Sequence, residues 1–195
     1  MKKLKETYRQ LIKKWQKLSR RDKQIGGGLA IIVLLIAVII SSVPEADKQA
    51  EAAANEAMLL AERTRAHYLA KPNYWGLNSQ YAIESGIVPQ DMVRGDKIVN
   101  SMGQIVRIGL GVDGEAVMPG SRGFDVIFSN VNKKACMLLM SYKFSEQQKL
   151  GLSGVTLVNS AERNFSWSGE NRFPLEILET REICEGKNTI VWNFE

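Results

Sequence analysis

Apolar side chains follow three different registers along the chain. Ile25–Val43 is an unbroken run of nineteen uncharged residues, polar only at Ser41 and Ser42. At 1.5 Å rise per residue it reaches roughly 28 Å as a helix, close to the ~30 Å hydrocarbon core of a bilayer. A helix buried in a soluble protein is seldom apolar around its whole circumference over so many turns. A secretory signal usually has a shorter apolar core, about 7–15 residues, and SSVPEA makes a weak cleavage site. The run reads as a membrane span, with a buried helix and a signal segment as the alternatives.

The second register belongs to an amphipathic helix. Glu45–Lys71 is built almost wholly of strong helix formers, with small or apolar residues at Ala46, Ala50, Ala53, Ala57, Leu60, Ala61, Thr64 and Tyr68. That spacing marks one helical face. Lys71-Pro72 ends the helix, because the residue before proline is pushed out of the helical region. Pro44 should kink the chain between the two halves. From Leu29 to Ala70 the combined rod would be roughly 60 Å long. Its second half is too polar for lipid, so the apolar stripe needs a globular domain to pack on.

The third register is that of strands. Beyond a short helix expected around Asn78–Glu84, a stop at Gly86 and a Val88-Pro89 turn, strand character appears in GQIVRIGLGV, FDVIFSNV and KNTIVWNF. These segments are β-branched, aromatic or alternating. ACMLLMSYKF and SGVTLVNS are further apolar runs, and turns are marked by Gly103, Gly109, Gly111, Gly114, Gly120 and Gly123. A long helix followed by four or five strands predicts an α+β fold with an antiparallel sheet laid on the helix stripe. KNTIVWNF is expected to close that sheet. The organisation expected is a basic leader-like segment over 1–28, a long helix over 29–71 and an exported α+β head over 72–195. The helix would span the membrane to about residue 43, and its amphipathic half would be periplasmic from 45.

Charge changes this picture. The chain has 195 residues, 26 basic and 21 acidic, a net of +5. Residues 1–24 hold ten basic and two acidic side chains, leaving 16 basic against 19 acidic in the rest, a net of −3. A nucleic-acid-binding face would spread its cations over a folded surface, so no direct nucleic-acid binding is expected. Positive charge beside a membrane helix stays on the cytoplasmic side, which puts the amino terminus inside and the head in the periplasm. Cys136 and Cys184, the two cysteines, both fall in the exported part. There an even count favours a disulfide, with two unrelated buried thiols as the alternative.

No catalytic, cofactor or metal constellation emerges. His67 is the single histidine, so a histidine metal site cannot be completed, and a packed or solvated role beside Tyr68 is expected. Cys136 and Cys184 lack the close spacing of a metal or redox pair. Gly109-Leu110-Gly111-Val112-Asp113-Gly114 reads as turn chemistry because no helix follows, and Gly26-Gly27-Gly28 is not followed by GK[ST]. Core packing is expected for most of Trp75, Trp167, Trp192 and Tyr142. The reading is not an enzyme and takes no small-molecule substrate.

At this level the sequence resembles a type IVb pilin, similar to the major pilins of the toxin-coregulated and conjugative thin-pilus kind. The basic leader, the glycine before an apolar helix and the amphipathic extension carry part of the resemblance. Tyr74–Gly103, YWGLNSQYAIESGIVPQDMVRGDKIVNSMG, resembles the family's short helix, Gly, Val-Pro-x-x-Met turn and Asn-x-x-Gly entry into the first strand. FDVIFSNVNKKACMLLM resembles the strand leading to the first disulfide cysteine, and REICEGKNTIVWNFE the second cysteine and closing strand. The resemblance implies a subunit cut by a prepilin peptidase after a glycine, at Gly28-Leu29 or alternatively after Gly26 or Gly27. It also implies self-association into a pilus for adhesion or conjugative transfer. The family's Glu five residues past the cut is Val33, Ile32 or Ile31 here, depending on the glycine cut, and no acidic residue occurs from Leu29 to Pro44. An amine without that carboxylate in a low-dielectric bundle is costly. The alternative is an uncleaved single-pass protein whose periplasmic domain binds a partner in a secretion or conjugation machine, its glycines serving close helix packing in the membrane.

Overall fold

A computed structural model describes residues 47–145, 151–168 and 170–195, all within one compact unit, Asp47–Glu195. The expected membrane span, the Pro44 kink and the leader-like segment lie outside the described residues.

Helix α1 covers residues 47–68. Ala50, Ala53, Ala57, Leu60, Ala61, Thr64 and Tyr68, all on the expected face, are buried, and Ala54 joins them. The helix unwinds ahead of Pro72, with the Lys71 N–H donating to Tyr68 O at 2.8 Å. Helix α2, Ser79–Glu84, starts where Asn78 accepts the Tyr81 N–H through its side chain, a capping geometry that satisfies an otherwise orphaned donor. It stops at Gly86, whose φ of +74° suits glycine. A 3-10 turn at Gln90–Met92 follows the Val88-Pro89 turn.

Seven strands follow rather than four or five: β1 Val93–Arg94, β2 Lys97–Val99, β3 Ile105–Gly109, β4 Phe124–Val131, β5 Leu152–Val158, β6 Glu162–Ser166 and β7 Asn188–Phe194. They form one sheet, ordered β1-β2-β3-β4-β7-β5-β6, in which each neighbouring pair is antiparallel. The strand expected to close the sheet, β7, instead fills its middle, between β4 and β5. The apolar run 135–144 has no period of its own to assign it an element. Its first part belongs to helix α3, Lys133–Met140, capped by Asn132 accepting from the Ala135 N–H. Ala, Met and Leu are good helix formers, and an apolar run without alternation suits either element. Helix α4, Ile177–Ile183, opens on a Glu176/Glu179 capping box.

Alternation along the strands sorts their side chains to two faces. Phe124, Val126 and Phe128 of β4, with Ile190, Trp192 and Phe194 of β7, join the core that includes the buried face of α1. The opposite face carries Asp125, Ile127 and Ser129 on β4 and Val191 and Asn193 on β7. There Arg107, Ile127, Val191, Thr156 and Asn164 form one cross-strand row over five strands. The glycine-rich segment after β3 is a turn, as its sequence suggested. Leu110 and Glu115 exchange both backbone hydrogen bonds at 2.8 and 3.0 Å, and Gly114 takes φ +66° with no room for a side chain beside Arg107. This turn also buries part of the polar row, because the Gly111 N–H donates to Asp125 Oδ2 at 2.7 Å while Asn193 Nδ2 donates to Asp125 Oδ1 at 2.9 Å.

Cys136 of α3 and Cys184 at the end of α4 form a disulfide with 5.9 Å between Cα atoms. Both cysteines are buried in the core. The bridge closes a chain segment of 48 residues, worth roughly 4 kcal/mol on chain-entropy grounds. That is large against the ~5–15 kcal/mol that holds a domain folded.

Replacing Cys136 by Ala is therefore expected to lower the denaturation midpoint of the head strongly, by about 4 kcal/mol, measured by chemical denaturation under non-reducing conditions. An unchanged midpoint would remove the bridge as a major stabilising element. Asp125 gives a pH signature. Its burial, only partly offset by the bonds from Asn193 and Gly111, raises its pKa above the ordinary carboxylate range. The folded state then holds the proton to higher pH than the unfolded one, so this contribution is complete below the unfolded pKa and is lost as pH rises through the folded value. The stability of the wild-type chain relative to Asp125→Asn should rise as pH falls from about 7 toward about 4; Glu56, also raised, is common to both and cancels. A flat or opposite trend would contradict this account.

Candidate functional site

Where α1 ends, aromatic rings and cations gather. Tyr68 is buried at the end of α1's apolar stripe, with its ring 5.4 Å from that of Tyr74 and 6.3 Å from that of Tyr81. Lys71, one turn on, sits 4.2 Å above the Tyr68 ring centroid and donates to Tyr81 Oη at 3.1 Å. His67 Nε2 lies 2.9 Å from Tyr81 Oη and 3.3 Å from Lys71 Nζ. An ammonium only donates, so the contacts agree when Nε2 accepts and the phenol passes its proton toward it. The single histidine is thus packed in a hydrogen-bonded cluster, as its position beside Tyr68 suggested. Burial, and then the neighbouring Tyr81 phenol, push the Tyr68 hydroxyl up to about 12. It is a neutral phenol at physiological pH, suited to packing and not to proton transfer.

These rings form one wall of a cleft of about 370 Å³. Arg65, Lys71 and Arg122 supply its charge, Tyr74, Leu69 and Pro72 its apolar surface, and among the described residues no carboxylate lines it. Arg65 packs against one ring and beside a glycine. Its guanidinium lies 5.6 Å from the Phe194 ring centroid, beside Gly151, where any side chain would collide with it. Its Nε is shut away from solvent without a hydrogen-bond partner. Arg122 arrives from the loop before β4, and Tyr74 is fixed against Phe124 of β4 with ring centroids 4.7 Å apart. The arrangement can hold a charged group in place; it contains no paired nucleophile and base.

Away from the core, the described part of α1 carries a second, thinner stripe that meets the cleft at Leu69. Ala52, Leu59, Ala66 and Leu69 recur at heptad-like spacing on the side away from the core, half-buried or exposed, with Leu59 40% and Leu69 88% accessible. Trp75 and Met118 form a separate exposed apolar pair, brought together because the Gly76 N–H donates to Val117 O and the Val117 N–H to Leu77 O. Ile177 and Leu178 of α4 are also exposed. The core-packing expectation holds fully for Trp192, which is buried, while Trp167 and Tyr142 are half-buried and Trp75 stands out into solvent. Glu56 on α1 ties down the loop before β3 by accepting the Ser101 N–H at 2.8 Å.

The cysteines expected to pair do so. Gly26, Gly27, Gly28 and Leu29 lie outside the described residues. Among the described residues no cluster of three His, Cys, Asp or Glu side chains could hold a metal ion, and no helix is long and apolar enough to cross a membrane. The sequence reading missed the cleft and the second stripe. The stripe's spacing was present in the chain but is diluted by Asn55 and Glu62, whereas the cleft is completed by Arg122, remote from the 65–74 stretch that supplies the rest of its lining.

Residues 47–193 match the family described as PilS N terminal. No curated protein sequence matches. Two solved structures share the fold. The type IV b pilin from Salmonella typhi is 17% identical, with 73% of this chain and 97% of that chain covered at a TM-score of 0.50. TcpA, a type IV pilin from Vibrio cholerae El Tor biotype, is 13% identical, with 76% of this chain and 99% of that chain covered at a TM-score of 0.50. An alanine-faced helix on an antiparallel sheet, two short helices stapled by a disulfide, and a family match over most of the head lead to one assignment: the chain belongs to the PilS N-terminal family and is a type IVb pilin-like protein.

Proposed function

We propose that the chain is a membrane-tethered structural subunit that assembles with its own copies into a type IVb-type pilus serving adhesion or conjugative transfer, and is not an enzyme. The observation that carries this reading is the division of α1 into two faces. One face is consumed by the subunit's own core, and the other keeps Ala52, Leu59, Ala66 and Leu69 for a neighbour. Ala52, Leu59 and Ala66 recur every seven residues with Leu69 three further on, and a heptad-spaced apolar line is a seam a second helix can pack against. Family membership supports the same reading. The apolar rod Leu29–Val43 would hold the subunit in the inner membrane before assembly and exchange lipid for like helices afterwards. A prepilin peptidase would cut after Gly28.

A second reading is favoured by one specific observation. With the cut at Gly28-Leu29, the fifth residue is Val33, so no carboxylate is there to pair with a new terminal amine. In that reading the leader stays and the periplasmic head binds a partner in a secretion or conjugation machine.

Leu59→Asp or Leu69→Asp in the full chain should abolish or sharply reduce surface filaments, counted by electron microscopy. The folded head should stay within about 0.5 kcal/mol of wild type, as is usual for exposed positions. Filaments in normal number would reject the role of this stripe. Mass spectrometry of the mature protein should find Leu29 at the amino terminus; an intact Met1–Gly28 segment would transfer support to the second reading.

A further inference from the structure

We propose that the cleft at the end of α1 binds a carboxylate-bearing sugar, with Arg65, Lys71 and Arg122 holding the acid and the Tyr74 ring facing the pyranose. This goes beyond the assembly reading and rests on different groups: the cleft shares only Leu69 with the Leu59 stripe, and its cations take no part in that stripe.

Three features point to this ligand class. The first is uncompensated charge. The chain beyond residue 24 is net acidic, yet among the described residues this cleft gathers three cations and no carboxylate, Asp125 and Glu195 lining a separate depression that shares only Arg122 with it. Lys71 is steadied by the Tyr68 face and the Tyr81 hydroxyl, and Arg65 by the Phe194 ring. Cation–π contacts and neutral hydrogen bonds fix a cation without cancelling its charge, so it stays available to an incoming anion. The second feature is shape. A guanidinium fork matches a planar carboxylate in a way an ammonium alone does not. Two arginines flank this cleft, and the lack of a side chain at Gly151 leaves room for the Arg65 guanidinium. The third is the apolar wall. A sugar ring has a face of C–H groups that packs flat on an aromatic ring, and a volume of about 370 Å³ falls in the small-ligand range. A bare inorganic anion would leave the tyrosine wall unused. A nucleic acid strand would need cations continuing along a groove to follow its backbone.

The test uses the full chain in detergent micelles, titrated by calorimetry and ligand-observed NMR with the methyl glycoside of N-acetylneuraminic acid, with glucuronate, with neutral glucose, with inorganic sulfate and with a short oligothymidylate. Both acidic sugars should bind with a Kd of about 1 mM or tighter, weakening as salt rises, and glucose should not bind. Lys71→Gln and Arg122→Gln should each weaken binding about tenfold, the scale of a lost charge-assisted hydrogen bond. Lys133→Gln, on α3 and outside the cleft, should leave it unchanged. Arg122 is exposed, so its variant tests the site without touching the core. The proposal is overturned if glucose binds as well as the acids, if sulfate alone binds as tightly, if the oligonucleotide binds more tightly, if no acidic sugar binds, or if the two cleft variants match wild type.

Discussion

Seating an alanine-faced helix on an antiparallel sheet is the contact around which the head is organised. Ala50, Ala53, Ala54, Ala57 and Ala61 each bury little area of their own, so each contributes little transfer energy. Their value is steric. Small side chains let the bulk of Phe124, Phe128, Trp192 and Phe194 reach the helix surface, so the large residues of the sheet supply most of the apolar area. A bulky residue at Ala53 or Ala57 would have to force its way into a core without spare room, and overpacking of that kind is destabilising. The same economy leaves α1 with an outer face that its own head does not need.

The rest of the head elaborates this contact. Tyr68 ends the stripe and, with Tyr74 and Tyr81, turns the chain away from the helix into α2. The rings that complete the core there also steady Lys71, so the cleft is a by-product of how the helix ends. On the far side, the Cys136–Cys184 bridge binds α3 to α4, and the Leu175 N–H donating to Met140 O at 3.0 Å reinforces the same junction. Phe144, Phe173 and Trp192 meet beneath it with ring centroids 5.5–6.0 Å apart. The outer sheet face is built differently. Ile127 and Val191 are buried there without belonging to the main core, sheltered between Arg107 and Thr156 and beneath the Gly111–Gly114 turn.

Elements with a strong period were legible in the sequence. The α1 face was read correctly at every described position because a 3.6-residue rhythm persisted over several turns. The strands at 105–109, 124–131 and 188–194 showed β-branched and aromatic residues in alternation. α3 was not legible, because Ala-Cys-Met-Leu-Leu-Met is apolar throughout and its Asn132 cap is a single residue. β1, β2 and β6 are short or polar, their pairing decided by partners elsewhere in the chain. The position of β7 inside the sheet is set by register with β4 and β5, which no local pattern encodes. The cleft was hidden for the same reason, since Arg122 joins Arg65 and Lys71 only after the strands have paired.

The interior placement of β7 has a consequence for biogenesis. Every other described strand is made before it, yet β4 and β5 have no shared edge until it arrives, so the sheet remains two unjoined halves with open hydrogen-bonding edges. Exposed edges of this kind invite pairing with other chains. A head released early by truncation would display them permanently, and it would also lack Trp192 and Phe194 at its centre. Insertion of β7 thus acts as a proofreading step: only a chain translated through residue 194 can seal these edges against promiscuous aggregation.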